Sequence, residues 1–314
     1  MLKSEICGML GIKYPVFQGG MAWVADGHLA SAVSNGGGLG IIAAGNAPAE
    51  YVKTEIDHAR SATDKPFGVN IMLLSPFAGD VARLVADEKV PVVTTGAGNP
   101  GKYVPMWLEA GIKVIPVVAS AAMAKLVTRL GVSAVIAEGG ESGGHVGDTS
   151  TMALVPQICD ATALPVIAAG GIADGRGVAA AFVLGARAVQ IGTRFLSAEE
   201  CNIHPVYKEK ILKANDIATV VTGKRLGHPV RSLKTPFTVE YMKAEYSQMP
   251  DEELEEMGVG TMRLAARDGD IKNGCFLAGQ VAGMVNKIQP AADIVRELVE
   301  EAGPILKGAR EWVS

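Results

Sequence analysis

The feature that most restricts this chain is a series of eight short apolar runs at near-regular spacing. They begin at Tyr14 (YPVFQ), Leu39 (LGIIA), Phe67 (FGVNI), Val90 (VPVVTT), Lys113 (KVIPVV), Ala134 (AVIAE), Pro165 (PVIAAG) and Ala188 (AVQIG). The steps between them are 25, 28, 23, 23, 21, 31 and 23 residues. Each step is too long for a hairpin and long enough for one crossover helix, so successive strands must run parallel. Apolar residues at three- and four-residue spacing predict such helices over 47–62, 77–88, 121–130 and 176–184. Eight units in an unbroken series favour a closed (β/α)8 TIM barrel over an open, doubly wound sheet.

Composition agrees with a buried parallel sheet. The chain has 314 residues, of which 48% are hydrophobic, 20% charged and only 5% aromatic. Glycine is in excess, at 38 residues, or about 12% against a usual ~7%. Charge is too low for a disordered chain. A net charge of −4 leaves no basic excess for nucleic acid. The amino terminus lacks a signal-peptide pattern and no stretch suits a membrane span, so a cytoplasmic protein is expected. The cysteines, at 7, 159, 201 and 275, have neither metal-ligand nor redox spacing, and no metal site is expected from them.

The pattern changes after Arg194. One helix is predicted over 205–215, another over 250–270 with the acidic run DEELEE, and two more in GQVAGMVNKI and AADIVRELVEEAG. The expected organisation is a barrel of residues 1–200 plus about 279–314. A mostly helical insertion of about 201–278 would cover the carboxyl ends of its strands. From Ile217 to Val239 there is no acid, while Lys224, Arg225, Arg231 and Lys234 give four positive charges. That stretch is either a solvated face or a dock for an acidic carrier or for cofactor phosphates.

Glycine-rich motifs then separate by context. Gly96, Gly98 and Gly101 fit G-x-G-x-x-G after a strand, but the next strand ends in Ala119 and Ser120, with no acid for a ribose. The same loop mimics G-x-x-x-x-G-K and then continues with Tyr103, which cannot serve magnesium. The seventh and eighth units differ. Gly170 and Gly171 end one strand, Gly192 and Thr193 the next. In a barrel these two loops commonly form a phosphate site, where glycine lets the backbone approach closely. The sixth strand runs into GGESGGHVGD. His145 in that loop is the best candidate for acid–base or hydrogen-bond catalysis, because it titrates near neutrality among small neighbours. His28 and His58 fall on outer helices, His204 at a helix entry and His228 in the basic stretch.

The ordered blocks YPVFQGGMAWVADGHLASAVSNGGGLGII, KPFGVNIML, VVTTGAGNP, VIPVV, AVIAEGGESGGHVG, PVIAAGGIADGRG and VQIGTRF resemble the flavin-dependent enoyl-acyl-carrier-protein reductase II family. That family belongs with the nitronate monooxygenases, a group of FMN barrels. The resemblance covers nearly the whole chain, and His145 matches the histidine of its E-x-G-G-H loop. It implies that Gly20, Met21 and Ala22 meet the isoalloxazine ring, and that Asn46 and Asn70 hydrogen-bond it. Glu138 would reach the ring or the ribityl chain. Ser142, Gly144, Ala169 and Gln190 complete the implied FMN contacts, with the phosphate on Gly170, Gly171, Gly192 and Thr193. The implied activity is reduction of trans-2-enoyl-acyl-carrier-protein by NADH or NADPH, the last step of fatty acid elongation. Oxidation of alkyl nitronates by oxygen is the alternative. A homodimer and a monovalent cation near the end of the insertion are further implications of the resemblance.

Overall fold

The structure is a computed structural model and describes residues 2–312. All eight apolar runs hold strands: β1 (Val16–Gln18), β2 (Gly40–Ala43), β3 (Phe67–Met72), β4 (Val92–Gly96), β5 (Lys113–Val118), β6 (Val135–Glu138), β8 (Val166–Ala169) and β9 (Ala188–Ile191). The two-residue β7 (Gly144–His145) lies within the glycine-rich loop expected after the sixth run. The eight pair in parallel, in the order β1, β9, β8, β6, β5, β4, β3, β2. The ring is closed between its ends by a parallel bridge from Phe17 to Leu39. Buried Gln18 reinforces that seam: its side-chain amide donates to Ile41 O and accepts from Ile41 N, both at 3.2 Å. The fold is therefore the expected TIM barrel.

The two faces of each strand explain why the runs read as continuously apolar. Ile41, Val92, Ile115, Ile136 and Ile167 point into the barrel, where Ile6 and Leu10 of the first helix (Glu5–Leu10) join them. Their neighbours Ile42, Val93, Val114, Val135 and Val166 point outward into the core under the helices. Both faces are dry, so β-branched residues occupy successive positions instead of alternating with polar ones. Each such side chain contributes about 1.5–3 kcal/mol by leaving water. Close packing sets the glycine at the start of β2. A Cβ on Gly40 would lie 1.8 Å from Ala30 O on the helix Gly27–Asn35.

The predicted crossover helices are present as Ala49–Ala62, Ala78–Asp87, Ala121–Thr128 and Gly175–Val183. The final helix, Ala291–Gly308, packs on the last of these, where Glu301 Oε2 accepts from Gly175 N at 2.9 Å. GQVAGMVNKI departs from the reading. It forms only a 3-10 turn, Gln280–Met284, in which Gly283 lies against the backbone of Asn215 and Asp216. Among the described residues no helix is long and apolar enough to cross a membrane.

The segment after β9 holds the helices Pro205–Leu212, Pro236–Glu245 and Asp251–Gly258, then a π turn at Leu264–Asp268. It also holds a hairpin, β10 (Thr219–Thr222) with β11 (Val230–Leu233), where the sequence showed only a Pro-, Gly- and Thr-rich stretch. Tyr207, Ile211, Ala265 and Phe276 pack into the same core as the barrel helices. Phe237, Tyr241, Leu254 and Cys275 form a smaller cluster of their own.

Candidate active site

A cavity of about 300 Å³ opens at the carboxyl ends of the strands, within the size range of small-molecule sites. Gly20, Met21 and Ala22 reach it from the loop after β1, Asn46 from the loop after β2 and Asn70 from β3. Glu138, Ser142, Gly144 and His145 come from β6 and its loop; Ala169, Gly170 and Gly171 from β8; Gln190, Gly192 and Thr193 from β9. The structure thus brings together every candidate residue named from the sequence. Of the G-x-G-x-x-G stretch only Gly96 and Ala97 line the cavity.

Its donors come in two groups. Gly170 and Gly171 both take positive φ, 90° and 74°, a conformation that glycine adopts without steric cost. Among the described residues, the backbone N–H groups of Gly170, Gly171, Gly192 and Thr193 donate to no protein acceptor. Such converging free N–H groups suit a phosphate. Across the floor, Asn70 Nδ2 donates to Thr94 Oγ1 at 2.9 Å, which leaves Oδ1 free to accept. The side-chain amides of Asn46 and Gln190 also lack a protein partner among the described residues. Mixed donors and acceptors around a slot fit the edge of a flat heteroaromatic ring. Gly20 shapes that slot, because a Cβ there would lie 2.4 Å from Asn70 Cβ. The residues present therefore fit FMN at both its ring and its phosphate.

Burial drives the titratable groups toward their neutral forms. It pushes the Glu138 carboxyl up to about 7, although the Ser142 hydroxyl donates to Oε1 at 3.0 Å and pulls the other way. The Cys275 thiol is pushed up to about 11 by burial. His145 is exposed at the cavity wall; partial desolvation there lowers its imidazole from the ordinary value, and the charge of His228 lowers it further. His145 is then a neutral imidazole at neutral pH, with one N–H to donate.

His145 is held by strand pairing. β7 adds antiparallel to β11, with Val230 opposite His145 and Arg231 opposite Gly144. The loop before it is knotted to the next one. Glu141 Oε1 accepts from Thr151 N at 2.9 Å, which supplies the cap that Ser150 does not give the helix Thr151–Ala161. Thr151 Oγ1 donates to Gly170 O at 3.0 Å.

The sequence left the upper wall unnamed. Tyr207, Met262, Cys275, Leu277 and Ala278 line the cavity from the segment after β9. The Tyr207 hydroxyl donates to Leu277 O at 2.6 Å. Trp23 also lines the cavity, with φ +64°. Glu141 was legible only as part of its loop.

The basic stretch divides. Arg225 Nη2 donates to Met249 O at 2.6 Å and pairs with Asp251 at 2.9 Å. Arg231 is half-buried and bonded to Gly140 O. Only Lys224 and Lys234 of the four lie open to solvent and unpaired among the described residues. His204 does cap a helix, accepting from Val206 N. The rings of His28 and His58 lie against each other, 3.5 Å between centroids.

The sequence pattern of the nitronate monooxygenase family matches residues 3–86 and 75–301. The chain is similar to FabK from Thermotoga maritima: 48% identity, both chains covered in full, TM-score 0.97. It is 34% identical to a Mycobacterium tuberculosis (3aS,4S,5R,7aS)-5-hydroxy-7a-methyl-1-oxo-octahydro-1H-indene-4-carboxyl-CoA dehydrogenase, over 96% of each chain. With a probable nitronate monooxygenase of Staphylococcus saprophyticus it shares 32% identity, over 97% of this chain and 99% of the other. The chain belongs to the nitronate monooxygenase family, a family of FMN-dependent oxidoreductases.

Proposed function

We propose that this protein reduces trans-2-enoyl thioesters carried on acyl carrier protein, with NADH or NADPH as the reductant and FMN in the cavity. The observation that carries this reading is the 48% identity with FabK over both full chains, against 32% and 34% for the other two relatives. The ring of FMN would lie against Gly20, Met21 and Ala22, with Asn46, Asn70 and Gln190 at its polar edge. Glu138, Ser142, Gly144 and Ala169 would border the ribityl chain. The free N–H groups of Gly170, Gly171, Gly192 and Thr193 would hold the phosphate. When bound, FMN supplies the hydride relay between the dinucleotide and the β-carbon of the enoyl chain.

The chain's own residues supply the rest. Negative charge develops on the thioester oxygen as its β-carbon is reduced, and a fixed donor there lowers the barrier. His145 is that donor: neutral, at the cavity wall and held by β11. Met262, Cys275 and Leu277 add apolar surface to the same cavity, and a substrate that displaces water from it would strengthen the hydrogen bond. The protein positions and shields, while the cofactor carries the redox chemistry.

A second reading has its own support. The family pattern and the Staphylococcus relative favour oxidation of alkyl nitronates by oxygen. One anaerobic experiment separates them. The yellow protein is bleached with NADH, and a crotonyl thioester is then added. Return of the yellow colour is expected. Protein that does not pass electrons from the dinucleotide to the thioester, but takes up oxygen with a nitronate in a separate aerobic assay without dinucleotide, would establish the monooxygenase instead. Protein that neither NADH nor NADPH bleaches and that consumes no oxygen with nitronate would be a flavin binder only.

A further inference from the structure

Arg231 touches the loop of His145 at both ends. Its backbone pairs with Gly144 in the ladder of β11 and β7. Its side chain reaches back to the start of the same loop, where Nη2 donates to Gly140 O at 2.9 Å. Nη1 donates to Thr219 Oγ1 of β10 at 3.3 Å. The loop from Gly140 to Gly144 includes Gly143 and ends on Gly144 at φ +79°, glycines that fix little shape by themselves.

We infer that Arg231 is the positioning residue for His145, through which the inserted hairpin governs the step that His145 serves. The guanidinium is a rigid planar fork, so two bonds to two segments set their separation as well as their contact. Its Nε has no partner among the described residues, and burial lowers the guanidinium pKa while Glu141 partly offsets this. Such a group stays buried for the geometry it imposes, since an unpaired donor is costly. A lysine would offer a point charge and a flexible stem, and would hold one segment at most. This role rests on the reductase reading only for the reaction named in the test, because the tie to His145 is independent of substrate.

The test uses holoenzyme carrying Arg231→Gln or Arg231→Lys, and follows the two half-reactions separately under argon. Bleaching by NADH should stay within about 2-fold of the parent, whereas recolouring by crotonyl thioester should slow about 10- to 100-fold, as a misplaced catalytic group does. Hydrogen exchange should quicken at amides 140–146 and stay unchanged in the barrel strands. Parent rates of recolouring in both variants would overturn the inference. So would equal losses in both half-reactions together with loss of FMN, which would make Arg231 a support of the whole fold. If the parent itself is not recoloured by the thioester, the reductase reading fails. Exchange then decides for Arg231: faster exchange confined to 140–146 supports its role, and an unaltered pattern overturns it.

Discussion

The floor and the roof of the cavity are made by different means. The floor is the set of strand ends from β1 to β9, and its polar groups are backbone N–H groups, three side-chain amides and the Glu138 carboxyl. The barrel ladder fixes those groups before any ligand arrives. The roof is Tyr207, Met262, Cys275 and Leu277, contributed by a segment that lies outside the barrel's strand ladder. It offers apolar surface, a thiol pushed up to about 11 and a phenol whose hydroxyl is already bonded. On the proposed reading the difference is a division of labour: the floor would grip a polar cofactor, and the roof would remove water. His145 belongs to both, since its loop leaves the floor at β6 and ends paired to the roof's hairpin.

The sharpest way to break that comparison is His145→Ala. If His145 serves the reaction and the floor alone grips the cofactor, FMN content should be unchanged. Recolouring by crotonyl thioester should fall about 100- to 1,000-fold, the usual loss for one fixed donor to a developing oxyanion. FMN content by absorbance and stopped-flow recolouring check the two halves. A variant that loses its FMN would move His145 into the floor.

Gly143→Ala strikes the seam. A Cβ there would lie 2.6 Å from the carbonyl carbon of Ala278 and 2.7 Å from Gly279 N. Neither atom can swing away, so the roof must shift. Overpacking of this kind costs about 1–3 kcal/mol, and turnover should fall about 10-fold as the roof admits water. Thermal unfolding and steady-state rates measure both effects. Full stability would show that floor and roof move freely past each other.

The sequence revealed the floor far better than the roof, for physical reasons. A parallel strand buried on both faces leaves a continuous apolar run, and its carboxyl end marks the active face. Glu138 could therefore be placed at a strand's carboxyl end from spacing, and the phosphate loops from their glycines; Asn70 and Gln190 came from the family resemblance. The full set, with Met21 and Asn46, needed the family resemblance. The roof leaves no such period. Tyr207 and Cys275 are 68 positions apart and meet only through a folded core. The hairpin was missed because its strands are four residues each, with Pro229 and charged residues between and within them. Gln280–Met284 looked helical because its composition is, yet it makes only a single tight turn, with Gly283 packed on the backbone of Asn215.

The smallest predicted effect tests how dry the floor is. Burial raises Glu138 from the ordinary 4.5 to about 7. The folded protein thus keeps this proton at pH values where the unfolded chain has lost it. Stabilisation is complete below about pH 4.5, declines as pH rises, and is gone above about 7. The whole displacement would be worth roughly 3 kcal/mol; the water an open cavity admits reduces the expectation to about 1–2 kcal/mol. Glu138→Gln removes the titration. Urea unfolding of both proteins should therefore show the variant gaining on the parent between pH 5 and 7, with a constant difference above that window. A difference that never changes with pH would mean that Glu138 ionises as it would in water. The strand ends would then be wet, and the exclusion of water assigned to the roof would have to come from the bound ligands themselves.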